Sequence, residues 1–506
     1  MGNLSELNAV ERPVTEWLSK MGWTFKDRDE LKAYNRPFSN PIIKPILIEK
    51  IQQLNDISES DANTAYETIT QHLNHPDPII GNENFLNFLV KGVTINVEGE
   101  AQDIRFIDFE NIWENDFIVT NQYWVQGAEM VKTDIVLLIN GIPIVPIEAK
   151  NRARKGVNWK QGVKQFSTYA QRADKLFMSH GFGVSCNGRI TKFGIPGASE
   201  SYFGEWKDTI LDTKYSNPIL DEDNDLCATV VKDDGYTHAD IPEYERMKRG
   251  IVGLLQPARV LDILQHYIVF ERSEEQGIIK KVARYQQLRA GNKIVDRVVE
   301  QEEDTGVIWH TQGSGKSLTM LFTAQKLRHH PRLYDPTVYI IVDRKDLKEQ
   351  MGGTFDDCTF PNTSVPPNIG QLKAKIRNRP AEVIITTVQK FRDMGDLQDD
   401  RNNVIVLIDE AHRTEYGVYQ IELQHVLPNA KRFAFSGTPL DKTIRDFGIR
   451  EGRNILEYYL DKYSIEDSIK DGATVKVRYT YGPQEHFLDK DKLKKGWDEI
   501  TADLTE

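Results

Sequence analysis

The stretch that decides the fold is residues 306–320, GVIWHTQGSGKSLTM. Its apolar run at 307–309 predicts a buried strand, and the apolar periodicity that begins at Leu318 predicts a helix. Between them, the Gly-rich residues 311–315 predict a tight loop. A strand, a Gly-rich loop and a helix in this order are the local structure that a phosphate-binding loop requires.

The loop carries the residue types that hold phosphate groups. Gly313 and Gly315 let backbone N–H groups approach phosphate oxygens without a Cβ in the way, and the following helix N-terminus favours anions. Lys316 would reach the β and γ phosphates of ATP, and the Ser317 hydroxyl would ligate Mg²⁺. The predicted nucleotide-binding residues of the loop are Thr311, Gly313, Ser314, Gly315, Lys316 and Ser317.

His310 makes the match to the strict pattern G-x-x-x-x-G-K-[ST] partial, because it stands where that pattern has its first glycine. The alternative is a glycine turn followed by a chance Lys-Ser pair. The predicted strand before the loop and the helix after it favour the phosphate site.

Length and charge limit the possible classes of protein. The chain has 506 residues, too many for a single core, and this length suggests about three domains. A net charge of −12 argues against a globally basic nucleic-acid binder, so any DNA contact must come from local patches. Residues 149–165 form one such patch, with six basic residues and no acid; a solvated helix face is the alternative.

The cysteines and the apolar runs indicate where the protein works. Cys186, Cys227 and Cys358 lie far apart with no C-x-x-C spacing, which fits a reducing cytoplasm. No apolar run reaches the length of a membrane span, and the N-terminus lacks a leader pattern. We therefore expect a cytoplasmic protein with no membrane partner.

A second chemical signal is KTDIVLLINGIPIVPIEAK at residues 132–150, in which two β-rich runs flank an Asn-Gly pair and predict a hairpin. If the turn centres on residue 141, facing residues have numbers that sum to 282, and Asp134 faces Glu148. Lys150 then lies on the same side. A two-residue Asn-Gly turn would shift the sum to 281 and separate the carboxylates, so their convergence requires an odd loop or a bulge.

Two carboxylates and a lysine at one end of a hairpin suit phosphodiester hydrolysis. The predicted catalytic residues are Asp134, Glu148 and Lys150: the carboxylates would hold Mg²⁺, and the lysine would orient or deprotonate the attacking water. An exposed hairpin with solvated charges is the alternative, but apolar residues on both faces indicate a buried sheet. Downstream, Gln165 and Tyr169 stand four apart on a predicted helix and face the same way.

After the phosphate loop, apolar β runs end at Asp343, Thr387, Asp409 and Ser436, with helical segments between them. This alternation predicts a parallel sheet, and open α/β sheets bind ligands at the carboxyl ends of their strands. The sequence DEAH at 409–412 follows an all-apolar strand. Asp409 would hold Mg²⁺, and Glu410 would orient or deprotonate the water that attacks the γ-phosphate.

The first set of motifs resembles a known nuclease fold. Asp134, Glu148-Ala149-Lys150 and Gln165-x-x-x-Tyr169, in that order, resemble the PD-(D/E)xK fold as it occurs in the motor subunits of type I restriction enzymes. Glu11 is similar to the first-helix glutamate that many nucleases of this fold use as a further metal ligand. A solvent-facing helix glutamate is the alternative for this residue.

The second set resembles superfamily-2 helicases. Gln287 in RYQQ is similar to their adenine-reading glutamine, with a surface helix residue as the alternative. VDRKDL and TTVQKF resemble further motifs of that superfamily, and SGTP at 436–439 resembles its motif III. The two resemblances imply coupling or DNA-contacting roles for Gln165, Tyr169, His412, Ser436 and Thr438.

The order of these motifs resembles the restriction subunit of type I restriction-modification enzymes over nearly the whole chain. The implied fold is α/β: a PD-(D/E)xK nuclease domain at 1–245, a RecA-like helicase domain at 246–460 and the start of a second helicase domain at 461–506. The implied cofactors are ATP and Mg²⁺. The implied partners are duplex DNA and the modification (methyltransferase) and specificity subunits, with ATP-driven translocation and DNA cleavage as the activity.

One feature departs from this family. Its motors need a second RecA-like domain, whereas only about thirty residues follow YSIEDSIKDGATVKVRY, so the sequence is expected to be an N-terminal fragment without full motor activity. Two alternatives remain open. One is a stand-alone repair helicase-nuclease, which a basic or zinc-binding recognition domain would favour. The other is a non-catalytic DNA-binding and docking piece.

Overall fold

Two seven-stranded sheets organise the part of the chain that the computed structural model describes. The described residues are 10–150, 158–207, 243–300, 304–343, 345–392, 394–411, 414–451, 454–475, 491 and 494–495.

The first sheet and its surroundings contain nine strands and seven α-helices among the described residues. The strands are β1 (Thr24–Phe25), β2 (Val93–Val97), β3 (Glu100–Ile104), β4 (Phe117–Gln126), β5 (Met130–Ile139), β6 (Ile142–Ala149), β7 (Gly183–Cys186), β8 (Thr191–Gly194) and β9 (Gly204–Glu205). The helices are α1 (Arg12–Lys20), α2 (Arg28–Lys32), α3 (Lys44–Asn55), α4 (Glu59–Thr70), α5 (Pro78–Lys91), α6 (Trp159–Arg172) and α7 (Asp174–Ser179).

The strand order of the first sheet is β1-β4-β5-β6-β7-β8-β9, and β2 and β3 form a separate antiparallel ribbon. Strands β4, β5 and β6 are consecutive and antiparallel, whereas β6 and β7 are parallel and are joined through α6. Every residue of β6 is buried, because β5 and β7 flank it and helices cover the sheet. The carboxyl end of β6 therefore carries its polar residues into a largely enclosed region.

The β5–β6 hairpin contains both of the features that the sequence left as alternatives. Asn140 and Gly141 form a two-residue turn with φ of 53° and 81°, and Ile139 faces Ile142, so the numbers sum to 281. A bulge between Leu138 and Leu137 then changes the register, and Ile135 faces Ile147, which restores the sum of 282. The bulge is what places residues 134 and 148 on the same face.

The second sheet and its surroundings contain the remaining described elements. The strands are β10 (Ile268–Ser273), β11 (Gly277–Val282), β12 (Thr305–His310), β13 (Thr337–Val342), β14 (Thr363–Ser364), β15 (Val383–Thr387), β16 (Val404–Asp409), β17 (Lys431–Ser436), β18 (Ile449–Glu451), β19 (Asn454–Glu457) and β20 (Asp461–Tyr463). The helices are α8 (Glu243–Leu254), α9 (Pro257–His266), α10 (Tyr285–Glu300), α11 (Lys316–His329), α12 (Lys345–Asp357), α13 (Ile369–Asn378), α14 (Thr414–Val426), α15 (Asp441–Phe447) and α16 (Ile465–Lys470).

The second sheet is parallel throughout, with the order β14-β15-β13-β16-β17-β12-β20. Alternate residues of β13 enter different hydrophobic clusters, Val338 and Ile340 on one face and Tyr339 and Ile341 on the other, so both faces are covered. The predicted α/β fold with a parallel sheet is confirmed. The predicted polar motifs lie at or directly after the carboxyl ends of its strands.

The two sheets are tied together by direct contacts. The Trp23 indole donates to the carbonyl oxygen of Leu255 at 2.8 Å, and Arg272 donates to Glu83 at 2.8 Å. Helix α8 packs on α1 and β8, and β20 is an edge strand of the second sheet. The domain boundaries at 245 and 460 stay a prediction. No described helix is long and apolar enough to cross a membrane.

Candidate active sites

Three side chains that the sequence predicts as a set meet at the end of β5 and β6. The Lys150 ammonium donates to Asp134 Oδ2 at 3.1 Å and to Glu148 Oε2 at 2.9 Å. The backbone N–H of Ala149 also donates to Asp134 Oδ2, at 2.9 Å. The structure thus brings the three side chains to one point, while their chemical roles stay a prediction.

This cluster is shielded from solvent by the helix that connects β6 to β7. Glu148 lies opposite Ser185 of β7 and is fully buried, whereas the side chains of Asp134 and Lys150 are 15% and 12% exposed. A Cβ at Gly162 of α6 would lie 3.1 Å from the Glu148 Cβ. The helix therefore packs directly on Glu148, and the site opens on the Asp134 and Lys150 side.

Burial controls the protonation of the cluster. It raises the pKa of Glu148 well above the usual range, and the neighbouring Asp134 charge raises that pKa further. Burial lowers the pKa of Lys150, but the carboxylates of Glu148 and Asp134 outweigh it and raise that pKa above its usual value. One ammonium cannot neutralise two carboxylates, so we assign the extra proton of the cluster to the fully buried Glu148.

The donor set fits a hard divalent cation. Glu148 Oε1 is buried and has no hydrogen-bond partner among the described residues, and Asp134 offers a second carboxylate. The Ala149 carbonyl oxygen accepts from the same Lys150 ammonium at 3.1 Å, so a third oxygen lies close by. Mg²⁺ prefers such oxygen ligands. Within the described ranges no three His, Cys, Asp or Glu side chains are grouped to hold a metal, so the fit rests on two carboxylates and backbone oxygen.

Glu11 is buried rather than solvent-facing, which removes the alternative that the sequence left open for it. Gln122 of β4 donates to Glu11 Oε2 at 3.2 Å. The β4–β5 register pairs Asn121 with Ile135 and Tyr123 with Thr133, so Gln122, with φ of 52°, stands at the level of residue 134 without being paired to it. Glu11 therefore lies one side chain away from the carboxylate cluster. The sequence pattern did not single out Gln122.

The helix pair predicted on α6 also borders the cluster. Gln165 donates to the Tyr169 hydroxyl, which in turn donates to the Lys132 carbonyl oxygen at 2.7 Å. Burial and then the nearby Glu148 charge raise the pKa of Tyr169. These contacts fix α6 against β5 and place Tyr169 beside the carboxylates.

Part of the predicted basic patch is neutralised by a carboxylate. Lys160 and Lys164 of α6 pair with Glu200, at 2.9 and 3.6 Å. Residues 151–157, which include two arginines and one lysine of the patch, lie outside the described residues. The described part of the patch is therefore a paired helix face.

The predicted phosphate loop adopts the conformation that its glycines allow. Gly313 and Gly315 have φ of 78° and 87°, in the left-handed region. A Cβ at Gly315 would lie 2.6 Å from Gln287 Nε2, which donates to the Gly315 carbonyl oxygen at 3.1 Å. The Ser314 hydroxyl closes the loop by donating to the Thr311 carbonyl oxygen at 2.6 Å. Gln287, on α10, is thus buried against the loop and is not a surface residue.

Lys316 begins α11 and faces the end of β16. Its ammonium lies 3.3 Å from Glu410 Oε1, and Ser317 stands next to it in the first helical turn. Glu410 has φ of 51°, an uncommon value for a residue other than glycine, and follows Asp409 at the strand end. The lysine and the acidic pair therefore meet at one edge of the second sheet.

The SGTP segment lies beside the same lysine. A Cβ at Gly437 would stand 3.5 Å from Lys316 Nζ, and the Trp309 indole donates to the Gly437 carbonyl oxygen at 3.2 Å. The Ser436 hydroxyl accepts from the backbone N–H of Thr438 at 3.2 Å. Together with the phosphate loop, these residues line one continuous edge. His412 lies outside the described residues.

A buried charge cluster underlies the phosphate loop and was not predicted. The Asp461 carboxylate is fully buried and accepts from Arg289 at 2.6 Å and from His310 Nε2 at 2.8 Å. Burial raises the pKa of Asp461, but His310 and Arg289 outweigh it and hold the pKa well below its usual range. The backbone N–H of Thr311 donates to the Tyr463 carbonyl oxygen at 3.0 Å. The only sequence signal was the histidine in place of glycine at 310.

The parallel sheet and the motif-lined edge define a SWI2/SNF2-type ATPase region joined to a second α/β region. The family model of the SWI2/SNF2 ATPase matches residues 286–506, and that of the type I restriction enzyme R protein N terminus matches residues 3–201. The chain is similar to type I restriction enzyme endonuclease subunits, as the order of its motifs predicted.

Individual relatives agree along most of the chain. The type I restriction enzyme HindI endonuclease subunit of Haemophilus influenzae is 28% identical over 96% of this chain and 47% of its own length. A relative from Methanocaldococcus jannaschii is 30% identical over 98% of this chain and 48% of its own length. The chain therefore spans about half the length of the curated relatives it matches.

A solved structure of the Sulfolobus solfataricus SWI2/SNF2 ATPase core in complex with dsDNA is 17% identical. The match covers 31% of this chain and 32% of that chain, with a TM-score of 0.25. The likeness is therefore confined to a minor part of each protein.

Proposed function

We propose that this chain supplies the nuclease and the ATP-driven motor of a type I restriction enzyme. It would hydrolyse phosphodiester bonds of duplex DNA with Mg²⁺ and use ATP hydrolysis to translocate the duplex, in a complex with modification and specificity subunits. The observation that carries the proposal is the meeting of Asp134, Glu148 and Lys150 at hydrogen-bond distance in a mostly buried site. The relatives' names as endonuclease subunits support it.

In the nuclease site, Asp134 and Glu148 would hold Mg²⁺, with Glu11 as a candidate further ligand through its place beside Gln122. The ion, when bound, would polarise the scissile phosphodiester. Lys150, at hydrogen-bond distance from both carboxylates, would orient or deprotonate the attacking water.

In the motor site, the N–H groups of residues 311–315 would surround the phosphates, and Lys316 would leave Glu410 to contact the β and γ oxygens. Ser317 and Asp409 would hold the Mg²⁺ that accompanies ATP. Glu410, released from the lysine, would orient the attacking water. Gln287 would reach the adenine from its position on α10 beside the loop.

The nuclease half is tested with Glu148→Ala and Lys150→Ala in the complete enzyme. We expect each variant to lose DNA cleavage while keeping DNA-dependent ATP hydrolysis, because the two chemistries use separate residues and separate ions. Supercoiled-plasmid cleavage and phosphate release are measured on the same preparations. Equal loss of both activities in Glu148→Ala would contradict the two-site proposal.

The motor half is tested with Lys316→Ala, which removes the cation that faces the phosphates. Titration with a fluorescent ATP analogue should show much weaker binding, and both ATP hydrolysis and ATP-dependent cleavage should be lost. Lys442→Ala, at an exposed position of α15, is the matched control and should bind ATP as the unaltered enzyme does. ATP binding that survives Lys316→Ala would overturn the assignment of this loop.

A further inference from the structure

A groove on the outer part of the first sheet carries cations and aromatic rings but no assigned role. Its volume is about 410 Å³, and its lining includes Arg28, Arg36, Phe38, Gln122 and Trp124. We call it the Trp124 groove. Its size is that of a site for one small ligand or one nucleotide unit and not for a double helix.

The two arginines that line the Trp124 groove, and Lys132 beside it, have their charged groups over aromatic rings instead of beside carboxylates. The Arg36 guanidinium stands 4.2 Å from the centre of the Tyr123 ring, and the Arg28 guanidinium stands 5.7 Å from the centre of the Trp124 ring. The Lys132 ammonium lies 5.8 Å from that same Trp124 ring. Among the described residues, none of these three cations has a carboxylate within ion-pair distance. Arg36 donates to the carbonyl oxygens of Asn40 and Trp124, each at 2.6 Å, so the charges available to a polyanion are those of Arg28 and Lys132.

The acidic residues nearby are occupied within their own helix. Asp27 caps the N-terminus of α2, and Glu30 accepts from the Asp27 backbone N–H to complete the capping box. Asp29 pairs with Lys32 at 2.5 Å. Arg28 is therefore the cation of α2 that lines the groove and has no carboxylate partner among the described residues. The net charge of the whole chain is −12.

The Trp124 groove lies close to the nuclease site along the strands, but not on the same face of the sheet. Trp124 faces Lys132 across β4 and β5, and Lys132 stands two residues, about 7 Å, from Asp134 along β5. The alternation of faces is interrupted at Gln122, which has φ of 52°, because Tyr123 and Val131 enter the same hydrophobic cluster as Val136. The Lys132 carbonyl oxygen also accepts from the Tyr169 hydroxyl at 2.7 Å. A strand lying in the groove would therefore pass beside the nuclease site.

We infer that the Trp124 groove binds a single-stranded segment of DNA next to the position of cleavage; this inference rests on the proposed nuclease function. Ring faces of Trp124 and Phe38 can stack on bases only when those bases are unpaired, since a duplex hides the base faces. Phe38 is 44% exposed and lines the groove. Arg28 and Lys132 would contact the phosphates of the same strand.

The test measures the affinity of the full chain for fluorescein-labelled dT20 and for a labelled 20-base-pair duplex. Binding is detected as a rise in fluorescence anisotropy, with EDTA present and ATP absent. Trp124→Ala should weaken dT20 binding by about 5- to 150-fold, the range for losing one stacked base, and should leave duplex binding unchanged. Trp113→Ala is the matched control, because Trp113 is 41% exposed and does not line the groove. It should bind dT20 as the unaltered chain does.

A second variant keeps the test valid if Trp124→Ala fails to fold. Arg28→Glu places an acid in the first turn of α2, where it suits the helix dipole, so the helix should persist. The log–log salt dependence of dT20 binding should become shallower by about 0.7 for each phosphate that the variant no longer neutralises. Lys91→Glu, on α5 and outside the groove, should leave that slope unchanged.

Two outcomes would overturn the inference: unchanged dT20 binding in Trp124→Ala and Arg28→Glu, or an equal loss of duplex binding in both. Failure of the proposed nuclease function would give a different result. If the assembled enzyme with Glu148→Gln still cleaves DNA, the nuclease assignment fails. Binding of dT20 by the groove is measured separately and does not depend on that outcome.

Discussion

Replacing Glu148 by glutamine should change how the stability of the first sheet depends on pH. In the folded protein this carboxyl is fully buried, and burial followed by the Asp134 charge raises its pKa. In the unfolded chain it titrates near its ordinary pKa of about 4.3. Between these two pKa values the folded state holds one more proton than the unfolded state. The free energy of unfolding therefore falls as the pH rises through that window. The amide of Glu148→Gln does not titrate and removes this pH dependence.

The size of the effect follows from one proton. A difference of one bound proton changes the free energy of unfolding by at most about 1.4 kcal/mol per pH unit. The free energy of unfolding of Glu148→Gln should exceed that of the unaltered chain by an amount that grows with pH. Above the ordinary glutamate pKa it should grow by at most about 1.4 kcal/mol per pH unit. It should level off above the folded pKa of Glu148. Added Mg²⁺ binds the ionised carboxylate, so it should flatten the pH dependence of the unaltered chain only.

The assay is urea unfolding of both proteins in EDTA, followed by circular dichroism between about pH 5 and pH 8, where maximal stability is usual. Glu129→Gln is the control, since the Glu129 side chain is 59% exposed, and its stability difference should stay constant with pH. A constant difference for Glu148→Gln, or one that shrinks as the pH rises, would refute the reasoning that burial protonates this carboxyl.

Two further variants, each with a control, test the packing of each site. Gly162→Ala brings a methyl group into steric overlap with Ser185 Oγ and to 3.1 Å from the Glu148 Cβ, and urea unfolding should show a loss of about 1–3 kcal/mol with reduced cleavage. Gly353→Ala, which meets nothing within 4 Å on its helix, should be neutral or stabilising by up to about 1 kcal/mol. Asp461→Asn removes the charge partner of the mostly buried Arg289 guanidinium and should lower the unfolding free energy by about 3–5 kcal/mol. Glu16→Gln, at an exposed ion pair with Arg12, should change it by under about 1 kcal/mol, and equal effects of the two would contradict the buried-cluster account.

The sequence alone determined the features that depend on neighbours along the chain. Strand, glycine loop and helix follow from residue order at 306–320, and the parallel sheet follows from the alternation of apolar runs with helical segments. The hairpin was also predictable, because the Asn-Gly pair selects its turn. The bulge was not predictable, since a change of register depends on how the whole strand packs. That bulge decides whether residues 134 and 148 share a face.

Only the tertiary structure decided the environments of side chains that meet from distant parts of the chain. Glu11 reads as an ordinary helix glutamate until Gln122, 111 residues away, is seen to bind it. His310 and Asp461 are separated by 151 residues, and no spacing rule connects them. The Trp124 groove likewise joins α2 to β4. A residue pattern specifies which face a side chain takes on its own element, whereas burial and pKa depend on which other elements fold against that face.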